Sequence, residues 1–324
     1  MLSGTLSIRN KTAWPIGQSF TLPLLPGKLI MKQNRFWFRP LFFLLSLWLT
    51  AFSVAAEIPF ASGLLFRVQS GDTAANYIFG TMHTDDHRVR KLVSRMTWAF
   101  NASATLAVEV ELDELTRVAA VSQMVSPVAR DLREILGDRL YDRALTEANR
   151  LGLPQVTMNQ YKPWALAVLF SLPPTEGGQI PEQILSEMAL RQGKPVIGLE
   201  TVEEQLGAFD SLPTADQNAM LKHALNNLDQ SPMVYRELLK SYLAGDLKGL
   251  LRISRDNFGT EDQGWIGRFQ EAIIYGRNRR MASRLMGPLR KGGVFAAVGA
   301  LHLPGEQGVL NTLRSRGFRV EVVY

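Results

Sequence analysis

From Glu57 onward the chain alternates short apolar runs with longer stretches of helical periodicity. Leu64-Leu-Phe-Arg-Val-Gln69 and Asn76-Tyr-Ile-Phe79 flank Ser70-Gly-Asp-Thr73, a pattern that predicts two strands joined by a turn. Thr105–Val110 predicts a third strand and Lys194–Leu199 a fourth. Near the C-terminus, Gly293–Leu301, a helix near 306–316 and Phe318–Val323 form a strand, helix, strand series, which implies a parallel crossover. Thr201-Val-Glu-Glu204 and Thr214-Ala-Asp-Gln217 have capping-box spacing, and much of 201–290 reads as helix. With no internal repeat or low-complexity linker, residues 57–324 are expected to form a single α/β domain: a mixed sheet with parallel crossover elements, flanking helices and a large helical insertion.

Ahead of Glu57 the pattern changes. Residues 41–56 form an uncharged apolar run of 16 residues, short of the roughly 20 that a spanning helix needs. A basic flank from Met31 to Arg39 precedes it, and Ser53-Val-Ala-Ala56 follows. That combination predicts a signal peptide over 31–56, cut after Ala56, with Met31 as the true start and residues 1–30 as over-called leader. The protein is then exported, periplasmic or secreted; an uncleaved signal would instead anchor it to the membrane, its sole membrane association.

Composition narrows the partners. The formal charge of +6 comes from 36 Lys and Arg against 30 Asp and Glu. Six of the basic residues precede Glu57, the first acidic one, so the remainder carries 30 of each. A nucleic-acid partner, which needs a basic surface, is not expected. The absence of cysteine excludes disulfides, thiolate metal sites and a cysteine nucleophile. Neither a Gly-rich phosphate loop nor a G-x-S-x-G elbow is present.

Of the four histidines, two share a setting: Ile78-Phe-Gly80-Thr-Met-His83 and Ala297-Val-Gly299-Ala-Leu-His302. Each follows an apolar strand, with glycine three residues earlier. Strand carboxyl ends border the usual ligand crevice of α/β sheets, so the two imidazoles are candidates for one pocket; the bland alternative is a pair of strand-end histidines bonded to backbone. His87 lies four residues after His83, but Thr84, Asp85 and Asp86 look like cap and first-turn residues. His87, and His223 on an amphipathic helix, are read as structural.

Gly80-Thr-Met-His83, Val108-Glu109-Val110, Gly198-Leu-Glu200 with the following Thr-Val-Glu-Glu-Gln, Arg277-Asn278-Arg-Arg-Met281 and Val298-Gly-Ala-Leu-His302-Leu-Pro-Gly-Glu-Gln-Gly308 resemble the TraB/GumN family, which is grouped with the TIKI proteases by paired GxxH motifs. The likeness covers nearly all of 60–324, and the GxxHLPGxxG block is its most specific part. It implies a metal-dependent hydrolase fold, and for the TIKI branch a peptidase. His83 and His302 then become the motif histidines, Glu109 the acidic partner, and Arg277 and Asn278 the Arg-Asn pair.

Imidazoles with a carboxylate suit a divalent metal ion such as Zn or Mn, and Glu109 is either a ligand or a general base. Glu111 is the runner-up to Glu109, since strand alternation puts both on one side. Arg277 and Asn278 are candidates to stabilise an oxyanion or anchor a substrate carboxylate; alternatively Arg277, Arg280 and Arg284, at i, i+3 and i+7, form a solvated helix face. Glu200 either points into the crevice or serves the helix start at Thr201. Two functions stand against each other: an exported metal-dependent hydrolase acting on a peptide or other small extracytoplasmic substrate, and a non-catalytic peptide- or saccharide-binding protein on the same scaffold.

Overall fold

The computed structural model describes residues 57–111, 113–126, 131–173, 175–258 and 263–324; the expected leader and signal lie outside them. In chain order the elements begin with β1 (Leu65–Gln69), β2 (Asn76–Thr81), α1 (His87–Asn101) and β3 (Thr105–Val108). Six helices follow: α2 (Glu114–Met124), α3 (Leu132–Leu136), α4 (Asp138–Arg150), α5 (Gln155–Met158), α6 (Pro163–Phe170) and α7 (Pro181–Arg191). After β4 (Val196–Gly198) come α8 (Val202–Asp210), α9 (Thr214–Asn226), α10 (Ser231–Leu243), α11 (Leu247–Phe258) and α12 (Gln263–Gln270). A π-helical turn, Glu271–Tyr275, leads into α13 (Gly276–Lys291), and β5 (Val294–Gly299), a 3-10 turn (Ala300–His302), α14 (Val309–Ser315) and β6 (Arg319–Val322) complete the chain. No helix among the described residues is long and apolar enough to cross a membrane.

The six strands form one mixed sheet in the order β4-β3-β5-β2-β1-β6. The first four in that order run parallel, and β1 pairs antiparallel with both β2 and β6. The C-terminal crossover has the expected direction, but β6 is not a neighbour of β5: two strands separate them. Every residue of β2 is buried and only Gly299 of β5 is partly exposed, as for parallel strands covered on both faces. Helix α1 covers the sheet with the stripe Val89, Leu92, Val93, Met96, Ala99 and Phe100, the i, i+3, i+4 spacing of an apolar helix face.

A second apolar core lies away from the sheet, around Trp164, Leu166, Leu221 and Trp265. It is built from helices on both sides of β4 in sequence, so the helical insertion is larger than the 201–290 stretch. Thr201 and Glu204 form the expected capping box at the start of α8. The second expected box is absent: Pro213 occupies the cap position of α9, and Gln217 bonds the Leu212 carbonyl instead. Proline's fixed φ makes it a ready lead into a helix without a side-chain cap.

Candidate functional site

Four adjacent parallel strands deliver the chemistry. His83 follows β2, His302 follows β5, Glu109 follows β3 and Glu200 follows β4, so in space the order is Glu200, Glu109, His302, His83. His83, Glu109 and His302 line one cavity of about 330 Å³, together with Thr81, Gln205 and Arg277. The two motif glycines are what let these groups converge. A Cβ on Gly80 would sit 2.9 Å from Leu303 Cδ1 and 3.4 Å from Ala300 Cα, so glycine lets the His302 turn pack on β2. A Cβ on Gly299 would sit 3.0 Å from Glu109 Oε1 and 3.3 Å from His302 Cδ2. The bare Gly299 amide instead donates to Glu109 Oε1 at 2.6 Å.

Arg277 ties the set together. Its Nη2 donates to Glu109 Oε2 at 2.6 Å and its Nε to Glu200 Oε2 at 2.8 Å. Its Nη1 lies 3.3 Å from His302 Nε2. Arg280 holds the other Glu200 oxygen at 2.7 Å, and Arg284 pairs with Glu204. The solvated-face reading of these arginines is therefore corrected: Arg277 and Asn278 are buried, Arg280 is half-buried, and Arg280 and the exposed Arg284 are both paired with carboxylates. On α13 the buried stripe Met281, Ala282, Leu285 and Leu289, continued one turn toward the amino end, lands on Arg277 and Asn278. The π-helical turn just before that end is a feature often found at functional sites.

Glu200 is fully buried and spent on guanidinium groups rather than on the α8 amides. Glu111 does not share the face of Glu109, because β3 ends at Val108 and alternation stops there; its carboxylate accepts from the Gly198 amide at 3.1 Å. His302 shows how its ring is set. Asn278 Nδ2 donates to the Gln307 carbonyl at 2.8 Å, which turns Asn278 Oδ1 toward His302 Nδ1 at 2.6 Å. Nδ1 therefore carries the proton, and the Nε2 lone pair faces Arg277 and the cavity, an arrangement suited to metal ligation.

Burial depresses His302 to about 4; Glu109 opposes this, and Arg277 and His83 add to it. Burial would raise Glu109, but His302, Arg277, His83 and the Gly299 amide bring it down to about 2. At neutral pH the buried pair is thus an ionised carboxylate beside a neutral imidazole. Glu200 is shifted upward, since burial outweighs the pull of Arg277 and Arg280.

His83, with its side chain 56% exposed, also borders a cleft of about 1300 Å³ that reaches along the helical insertion past Leu153, Tyr161 and Phe170. His83 precedes α1, so it shares no helix face with His87. Asp86 caps α1 and is gripped by Arg88 at 3.0 and 2.8 Å, while Asp85 instead accepts from the Thr175 hydroxyl and the amides of Glu176 and Gly178. Asp86, His87 and Glu176 form a group whose candidate ligand atoms all lie within 4.8 Å of one another. The Arg88 charge on Asp86 and the exposure of the other two make it a poor cation site. His223 is buried in the second core, bonded to Asn227 and Asn257 and packed on Phe258.

The sequence profile of the TraB/PrgY/gumN family matches residues 64–322, the span that holds every one of these groups. The chain belongs to that family. Among similar proteins, Metalloprotease TIKI1 of Danio rerio is 27% identical over 300 residues, covering 76% of this chain and 60% of the relative. Metalloprotease TIKI2 of Xenopus tropicalis is 24% identical over 301 residues, covering 76% and 57%. A Metalloprotease TIKI homolog of Amphimedon queenslandica is 26% identical over 310 residues, covering 79% and 60%. The chain therefore spans about three fifths of the length of these relatives. Within the TraB/PrgY/gumN family frame, three residues to which the sequence assigned no role also border the site: Gln205, the last residue of the quoted Gly198–Gln205 block, which donates to Glu109 Oε2 at 3.2 Å; Tyr242, which donates to the Gly80 carbonyl at 2.9 Å; and Glu182, beside His83. The strand-end rule that finds Glu109 and Glu200 has no reach for side chains arriving from the helices.

The donor set around the cavity fits a divalent cation. The Nε2 lone pair of His302 and the Glu109 carboxylate are both presented, and His83 lines the same wall. Thr81 Oγ1, on that cavity, and both Glu182 oxygens are buried with no hydrogen-bond partner. A cation on His302 Nε2 displaces the 3.3 Å contact of Arg277 Nη1, and Glu109 Oε1, which accepts only from the Gly299 amide, keeps a lone pair for it, whereas Oε2 is taken by Arg277 and Gln205.

Proposed function

We propose that this chain is an exported, metal-dependent peptidase that holds zinc, manganese or a similar divalent ion with His83, His302 and Glu109. The observation that carries the reading is the convergence of these three side chains on one cavity, from the carboxyl ends of three adjacent parallel strands. Its support in kind is the set of curated relatives named metalloproteases. Export rests on the 31–56 segment.

A divalent ion bound there lowers the pKa of a coordinated water toward neutrality and polarises a carbonyl. The chain's own groups do the rest. Asn278 holds His302 in the tautomer with Nε2 toward the cavity. Glu109, ionised and fixed by the Gly299 amide, contributes the negative ligand. Arg277 commits Nη2 and Nε to carboxylates, which leaves the Nη1 edge facing the cavity to meet the negative charge that develops on a scissile carbonyl oxygen. Glu200 and Arg280 lock that guanidinium in plane. The 1300 Å³ cleft has room for an extended peptide, which would pass His83 so that one residue enters the smaller cavity.

Protein purified from the full reading frame should take up zinc or manganese, measured by elemental mass spectrometry, and cleave members of a mixed peptide library. His302→Gln should abolish both while near-UV circular dichroism stays native. If folded wild-type protein takes up neither metal and His302→Gln changes nothing, the peptidase reading is wrong; peptide binding that persists without metal would favour the binding-protein alternative.

A further inference from the structure

Each GxxH histidine has a side-chain oxygen facing its Nδ1, within hydrogen-bond distance for His302 and just beyond it for His83. For His302 that oxygen is Asn278 Oδ1 at 2.6 Å. For His83 it is Glu182 Oε1 at 3.6 Å. Glu182 is the second residue of α7, where a first-turn carboxylate ordinarily faces water and complements the helix dipole. Here the side chain is only 6% exposed, against 56% for His83, and neither carboxylate oxygen has a hydrogen-bond partner.

A buried carboxyl in that state is costly unless it serves a donor, and the cationic donors near the site are spent. Arg277 and Arg280 serve Glu109 and Glu200. The Tyr242 hydroxyl donates to the Gly80 carbonyl. Ser186, one helical turn along α7, has its own Oγ buried and unpartnered. Besides that hydroxyl, the His83 ring is the group already facing the carboxylate, and less than about 1 Å of movement brings Nδ1 from 3.6 Å to hydrogen-bond distance.

We propose that Glu182 is the positioning residue for His83: it accepts the Nδ1–H and fixes the tautomer whose Nε2 lone pair is presented for metal, as Asn278 does for His302. The functional consequence rests on reading His83 and His302 as metal ligands; the tautomer itself does not.

Long-range proton–nitrogen NMR on the metal-free full chain at alkaline pH reads the tautomer directly. The wild type should show His83 as Nδ1–H. Glu182→Ala should move it to Nε2–H, the form that water favours, and leave His302 unchanged. Glu182→Ala should also weaken zinc binding by about 10- to 100-fold in a chelator competition, whereas Glu182→Gln, which keeps an acceptor oxygen, retains most of it. A wild-type His83 in the Nε2–H form overturns the proposal without need of any variant, as does a Glu182→Ala protein with unchanged tautomer and zinc affinity. If His83→Ala leaves zinc binding intact while Glu182→Ala still flips the tautomer, the metal assignment fails and the positioning role stands.

Discussion

Replacing Arg277 with Met removes the one guanidinium that two buried carboxylates share, at 2.6 Å from Glu109 and 2.8 Å from Glu200. Methionine fills much of the volume, so the change isolates the charge. Glu109 is held at about 2 rather than its ordinary 4.5, which corresponds to about 3 kcal/mol in favour of its ionised form. Arg277 supplies part of that, together with His302, His83 and the Gly299 amide. Its loss also leaves Glu200 with Arg280 alone. Breaking a buried pair by removing one partner costs about 3–5 kcal/mol, and the same loss is expected here, measured by urea unfolding followed by circular dichroism. Arg277→Lys should fall between, because a point-charge ammonium cannot fork to both carboxylates. Adding Glu109→Gln to Arg277→Met should cost less than the sum of the two single changes, with a coupling of about 1–3 kcal/mol. A loss below about 1 kcal/mol for Arg277→Met, or strict additivity in the double variant, would refute the network.

Stability of the metal-free protein should depend on pH through His302. Its folded value of about 4 lies below the ordinary 6.5, so between these the unfolded chain binds more protons and acidification favours unfolding. Stability is greatest above about 6.5 and falls by up to about 3 kcal/mol as pH drops toward 4; Glu109 extends the fall from about 4.5 down to about 2. His302→Gln should flatten the upper part of a melting-temperature series, and an unchanged slope would count against a buried neutral imidazole. Gly299→Ala is expected to cost about 1–3 kcal/mol from overpacking, because the new methyl lies 3.0 Å from Glu109 Oε1. Its φ of −52° is ordinary for alanine, so the damage should appear as lost zinc uptake more than as lost fold, read by thermal melting beside metal analysis.

The strands were legible because burial on both faces leaves near-continuous apolar runs, as in Val294–Gly299, and the site residues sit where such runs stop. Strand neighbours were not, since β6 crosses to the far edge and pairs with β1, a choice that depends on which edge is free. Arg277 looked like one member of an exposed arginine row when spaced from Arg280 and Arg284; spaced instead from Met281 and Leu285, it falls on the buried stripe. The apolar phase of a helix thus outranks its charge pattern as a guide to what faces a site. Glu182 gave no signal, because a glutamate after proline at a helix start looks like a solvent-facing dipole partner, and only the packing of α7 on α1 and β3 takes it out of water.

That misleading position bears on what the cavity is for. Glu109 lines it, and two more buried carboxyl groups stand behind its walls, Glu200 on Arg277 and Glu182 beside His83, against one buried guanidinium, Arg277, and the half-buried Arg280. Arg277 and Arg280 are consumed by Glu109 and Glu200, so among the described residues Glu182 has no arginine or lysine partner and faces only the His83 ring. His302, held neutral by burial, cannot make up the difference. A site built only for stability would replace Glu182 with an apolar side chain, since removing an unsatisfied buried group is neutral or favourable. Retaining it behind His83, opposite the Asn278 that braces His302, makes sense if both rings must present Nε2 to a divalent cation whose charge completes the balance.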